Sequence, residues 1–309
     1  VHAPLGLRAA RVYAEIAPAA SHAQHMISHI YVALGDWADS VDSNIKSLDV
    51  SRERVERKNL PIDDLNFHAY HWLQYSYLQM GQFDKARPMV DQMRQYALES
   101  GTPRARGYYA GMRASWIVES GGRDVPESIG TNTMGAVSAA ADLYTTGAAA
   151  LVADDKAEAR TALGEMERHL ESLEPDPTDR IAVETHNFVR VMTDSLRAQI
   201  AWEEGRKDEA LALLEDATAL EESLALEYGP PSIVKPSNEL YGELLLATGD
   251  PEAAAEQFEL ALLRAPRRRL SLEGLAQAAA TNGDRQVHQR ACAELADILS
   301  GPRASYCGG

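Results

Sequence analysis

LLLATGDPEAAAEQFELALLRAP, residues 244–266, reads as an amphipathic helix, a turn at Gly249 and a second amphipathic helix that ends before Pro266. The same grammar recurs in YVALGDWADSVDSNIKSL (31–48), YLQMGQFDKARPMVDQM (77–93) and IAWEEGRKDEALALLEDA (200–217). In each, a small residue falls five positions after the turn glycine: Ser40, Ala86, Ala210 and Ala254 follow Gly35, Gly81, Gly205 and Gly249. A small side chain there lets two antiparallel helices approach closely. A hairpin of this size cannot bury its own apolar face, so stacked neighbours must bury it, which predicts an all-α solenoid. Alternation typical of strands is nearly absent.

Gly249 and Gly283 lie 34 residues apart, the tetratricopeptide period. The unit from Asn238 to Pro266 resembles that family most closely, with Tyr241-Gly242 in the first helix and Ala254, Phe258 and Ala261 in the second. Other units depart from it. GYYAGMRASWIVESGG (107–122) and GAAALVADDKAEARTAL (147–163) read as degenerate repeats, the second with Asp154 where a glycine would turn. HAPLGLRAARVYAEIAP, HAQHMISHI and YGPPSIVKPSNELYGELLLATGD together resemble a group of bacterial tetratricopeptide proteins whose activity is poorly defined. This chain has Ile27 where that group would have Pro, and His71 where it would have an acidic residue. The resemblance implies a right-handed α-solenoid of about six helical hairpins over residues 1–300, and further N-terminal repeats upstream of Val1. The tail 301–309, SGPRASYCGG without its first Ser, is expected to be flexible.

The 309 residues carry 30 Lys+Arg against 46 Asp+Glu, a formal charge of −16, which argues against a nucleic-acid or anionic-membrane surface. The densest basic stretch, LRAPRRRLS (263–271), straddles a Pro-marked turn and reads as a solvated linker. Cys292 falls on an apolar helical face and Cys307 in the tail, so no disulfide framework is expected. No apolar run reaches a membrane span, and the chain reads as soluble, in a cytoplasmic or periplasmic setting. Trp37, Trp72, Trp116 and Trp202, spread among helices, read as core. No G-x-S-x-G elbow, phosphate loop or dinucleotide fingerprint is present.

Chemistry concentrates in SHAQHMISHI, residues 21–30. On a continuous helix His22, His25 and His29 share one stripe, thirteen, ten and six residues before Gly35. The same distances before Gly81 give His68, His71 and Tyr75. Ten and six residues before Gly249 stand Glu239 and Glu243, and before Gly205, Ser195 and Gln199. The family resemblance implies that these first-helix positions line a concave groove. Helices packed about 8–10 Å apart allow imidazoles from two of them to meet.

Three readings follow. The first is a scaffold whose groove, lined by His22, His25, His29, His68, His71, Tyr75, Glu239 and Glu243, holds a peptide, a protein segment or a small ligand. The second is a metalloprotein or metal-dependent enzyme using His22, His25, His29, His68 and His71, with His25 and His29 as direct ligands. An all-imidazole set suits Cu or Zn better than Ca or Mg. Tyr75 or Glu239 would then support the ligands or donate a proton. The third is structural, with each imidazole satisfied by neighbouring carbonyls. The exposed ends of an array also allow a homodimer. The proline-rich loop EYGPPSIVKPSNE (227–239) reads either as a spacer or as a rigid flap that brings Tyr228 and Lys235 to the groove.

Overall fold

The computed structural model describes residues 3–300 and 307, apart from the side chains of residues 3, 4, 10 and 14. Of the expected flexible tail, all but Cys307 lies outside the described residues. Among those described, α-helices dominate, a few residues form 3-10 turns, and no strand occurs.

The helices are α1 (Ala3–Ile16), α2 (Ser21–Met26), α3 (Ser28–Leu34), α4 (Trp37–Lys58), α5 (Phe67–Gln79), α6 (Phe83–Ser100), α7 (Pro103–Ser120) and α8 (Ala136–Val152). They continue with α9 (Lys156–Glu171), α10 (Arg180–Glu203), α11 (Lys207–Ser223), α12 (Ser237–Thr248), α13 (Pro251–Arg264), α14 (Arg269–Asn282) and α15 (Arg285–Ile298). Chain neighbours pack on one another, notably α8 on α9, α10 on α11, α12 on α13 and α14 on α15. The small residues after the turns do what their spacing requires: Ser40, Ala86, Ala210 and Ala254 are all fully buried. Asp154 takes the left-handed conformation at φ 58°, which short polar side chains tolerate, and so replaces the missing turn glycine.

The weak register after Gly101 has a physical basis. Helix α7 is followed by an irregular segment, residues 121–135, where a hairpin partner would stand. Side chains of α7 satisfy that segment's backbone. Arg106 donates to the carbonyls of Ile129, Gly130 and Asn132, Arg113 to that of Pro126, and Trp116 Nε1 to those of Arg123 and Asp124. Backbone that lacks a helix to belong to is thereby kept paired.

The array also meets itself. Trp37 Nε1 donates to the Arg267 carbonyl at 3.0 Å, the Arg269 amide to Gln79 Oε1 at 2.9 Å, and the Ser300 amide to the Met80 carbonyl at 3.1 Å. One buried apolar cluster joins Val32, Trp37 and Trp72 to Leu275, Leu295 and Ile298. The first hairpins and the last share a core.

That closure overturns two expectations. The stretch LRAPRRRLS is not a solvated linker, since Arg268 is 0% exposed and Arg269 6%. Their carboxylate partners include Glu239, 29 residues from Arg268, and Glu119, 150 residues from Arg269, so a local reading of charge could not see them. Cys292 and Cys307 are also paired, as a disulfide with Cα atoms 5.5 Å apart. Cys307 thus lies against α15, a pairing that composition does not encode.

Candidate metal centre and ligand cavity

The histidine segment is not one helix. It breaks at Ile27, between α2 and α3, where the Ser28 hydroxyl donates to the His25 carbonyl at 2.7 Å. The break divides the predicted stripe. His25 is fully buried and His29 half-buried, whereas His22 is exposed, its ring centroid 6.5 Å from that of His25.

His68 of α5 completes the group that forms. One ring nitrogen from each of His25, His29 and His68 lies within 4.8 Å of the others. His25 Nε2 and His29 Nε2 are 3.1 Å apart. His25 Nδ1 lies 2.7 Å from Asn44 Oδ1, whose amide nitrogen donates to the Ser40 carbonyl at 2.8 Å. With the amide oriented by Ser40, Nδ1 of His25 is the protonated nitrogen, and Nε2 presents its lone pair to His29 and His68. Trp72 backs the group, its ring centroid 4.2 Å from that of His29, 4.9 Å from His25 and 5.3 Å from His68.

These imidazoles are neutral. Burial pushes His25 down to about 3 and His68 down to about 4, with neighbouring imidazoles adding to both shifts, and burial also lowers His29. No carboxylate stands among them to hold a proton on any ring. Neutral imidazole is the form that ligates metals.

His71 points elsewhere. Its Nε2 lies 3.3 Å from Ser115 Oγ, and its ring lies so close to Gly111 of α7 that an added Cβ there would come within 2.9 Å of Cε1. Burial lowers its pKa to about 3. His71 therefore lines the neighbouring space rather than joining the three.

That space is a cavity of about 640 Å³, bounded by His29, His68, His71, Trp72, Tyr108 and the chain from Glu227 to Ser232. The proline-rich loop is a cover. Gly229 passes Trp72 so closely that an added Cβ would lie 2.5 Å from Cζ2, and the Tyr228 backbone hydrogen-bonds His29. Arg104 also borders the cavity, but its guanidinium donates to the carbonyls of Asp63 and Leu65. The wall is mainly apolar and aromatic, and besides the neutral imidazoles it carries Arg104, Ser138, Glu227 and Ser232.

The other expected groove residues form a separate cluster. Arg268 donates to Glu239 through Nε at 2.8 Å and Nη2 at 3.0 Å, and to the Tyr75 hydroxyl at 2.7 Å. Ser271 and Lys235 complete the shell of Glu239, at 2.5 and 3.0 Å, and Lys235 also binds Glu243 at 2.5 Å. Burial alone would raise the Glu239 carboxyl, but the charges of Arg268 and Lys235 outweigh it and hold the group well below its ordinary value. Tyr75, Glu239 and Glu243 accordingly serve a closed ion network and do not reach the three histidines.

Sequence reasoning missed Asn44, Trp72 as a wall of the cavity, and Arg268. A signal for Asn44 existed. Ser40, Ser43, Asn44, Ser47 and Ser51 recur at helical spacing on α4, and all are buried, so the inward stripe of that helix is polar and requires polar partners.

No described helix is long and apolar enough to cross a membrane. No protein-family model matches the chain, and no curated protein matches it.

Proposed function

We propose that this chain is a tetratricopeptide-like binding protein that holds a d-block metal ion on His25, His29 and His68, with the covered cavity receiving a small ligand beside it. The observation that carries this reading is the convergence of three neutral ring nitrogens, one with its tautomer set by Asn44. In a tetrahedral site with metal–nitrogen bonds of about 2.05 Å, two ligand nitrogens stand about 3.3 Å apart. The His25–His29 separation of 3.1 Å is close to that edge. A second partner on the remote nitrogen, as Asn44 provides for His25, is the usual support of a metal-bound imidazole. Three nitrogen ligands favour Zn or Cu and leave a coordination position for the ligand in the cavity.

The paired helices and the buried small residues after each turn support a right-handed superhelix of about six hairpins. A small ligand fits better than an extended peptide, because a volume of about 640 Å³ is that of a small-molecule site. The wall offers no uncommitted cation, so a neutral ligand that can coordinate a metal is favoured over an anion.

The test is elemental analysis and zinc titration of the purified chain, compared with the His29→Ala and His68→Ala variants. One equivalent of tightly held metal in the parent, lost in both variants while their circular dichroism is unchanged, is the expected result. A parent chain that takes up no metal when zinc and copper are supplied in excess refutes the site.

A further inference from the structure

A second group of soft ligands lies outside the cavity lining, on α15 and at Cys307. His288 and Cys292 are one helical turn apart, with Nε2 and Sγ 3.6 Å from each other. Cys307 is carried to the same point, and the three ligand atoms lie within 4.8 Å of one another. For zinc–sulfur and zinc–nitrogen bonds of about 2.3 and 2.05 Å, the tetrahedral S···N edge is about 3.6 Å. The observed pair therefore already has the spacing of two ligands on one ion. The two sulfurs, joined in the disulfide, would need to separate to about 3.8 Å, the S···S edge of the same tetrahedron.

We propose that His288, Cys292 and Cys307 form a second metal site, for Zn²⁺ or a similarly thiophilic ion, that becomes available when the Cys292–Cys307 disulfide is reduced. This inference is independent of the imidazole site. A dithiol reductant attacks one sulfur, passes through a mixed disulfide, and leaves as its own disulfide. Two electrons and two protons convert the Cys292–Cys307 bond into two thiols. The ion then displaces both thiol protons, and two thiolates with one neutral imidazole balance its double charge. Cys292 is 9% exposed and belongs to an apolar cluster that Cys307 packs against, which lowers the local dielectric and strengthens thiolate–metal attraction. His288 and Cys307 are half-buried, which leaves a path for the ion and room for water as a fourth ligand. In one redox state the tail is fastened by a covalent bond, and in the other by coordination.

Cobalt distinguishes this site from the histidine cluster, because thiolate ligands give a sulfur-to-cobalt charge-transfer band and an all-imidazole site cannot. The full chain, reduced with a dithiol and desalted without oxygen, is titrated with Co²⁺. One equivalent should develop the band, and zinc should displace it. The oxidised chain and the reduced Cys307→Ser variant should show none, and His288→Ala should weaken binding at least about tenfold, the smallest loss usual even for partners outside the ligand set. Absence of the band in the reduced parent overturns the proposal. So does a band of equal strength in Cys307→Ser, or affinity unchanged in His288→Ala.

Discussion

Two of the polar clusters inside this helical array are built on opposite terms. Around Arg268, the charges are complete. The guanidinium meets Glu239, Glu119 and Tyr75, and Lys235 meets both Glu239 and Glu243, a network that satisfies itself and joins the first hairpins to the last. Around His25 no ion pair forms among the described residues. Three imidazoles, held neutral by burial, direct ring nitrogens toward one another at the edge of a cavity. A network that satisfies itself is structural, whereas one with valence to spare beside open volume can take a ligand. Counting from the turn glycines assigned both to one groove, but only the histidine end has those two properties.

The largest effect that would break this comparison comes from Arg268→Ala. Removing the buried guanidinium leaves Glu119 with Arg269 and Glu239 with Lys235 as their remaining cations, too few for a buried cluster, so denaturant unfolding should show a loss of about 3–5 kcal/mol, with the histidine cluster's metal binding retained in molecules that remain folded. A nearly neutral result would mean that the ion network does not hold the ends of the array together.

Acid sharpens the comparison by separating the clusters in pH. Folded His25 has a pKa of about 3, far below the unfolded value of 6.5, so as pH falls below 6.5 the unfolded chain takes up a proton that the folded chain refuses. Stability is lost by about 1.4 kcal/mol per pH unit for such a group, or about 2 kcal/mol by pH 5 for His25 alone. His68 and His71 add in the same direction. Glu239, depressed in the folded state, contributes stability that is present above its unfolded pKa of 4.5 and disappears only below it. Unfolding free energies at pH 7, 6 and 5 should therefore decline in the parent and decline less steeply in His25→Gln. A flat profile across that range would place the imidazoles in contact with water.

The smallest effect on stability is expected from Asn44→Ala. Ser28 Oγ, 3.2 Å from His25 Nδ1, remains to accept the ring proton, so the loss should be about 1 kcal/mol. Zinc affinity should nevertheless fall about 10–100-fold, because the support of a ligating imidazole is removed. Affinity that does not change would show that Asn44 does not orient His25.

Part of this arrangement was legible in the chain. Glycines followed five residues later by Ser40, Ala86, Ala210 and Ala254 gave the hairpins, because close helix packing tolerates only small side chains there. The inward placement of His25, His29 and Tyr75 followed from the same register. The register failed at His22, which shares α2 with buried His25 yet faces solvent, and at α5, where His68 rather than His71 meets the group. Helical phase is a local property, whereas the neighbour that each face meets is decided by packing between helices.

The amino-acid sequence by itself determined the helical hairpins and their turns, since periodicity and small-residue spacing act within some thirty-odd residues. Only the tertiary structure decided that the array would close on itself, bury Arg268 and Arg269 against Glu119 and Glu239, lay Gly229 across Trp72, and bring Cys307 to Cys292. Those contacts join separate elements of the chain, and most depend on how small rotations between successive hairpins accumulate, a quantity no local pattern encodes.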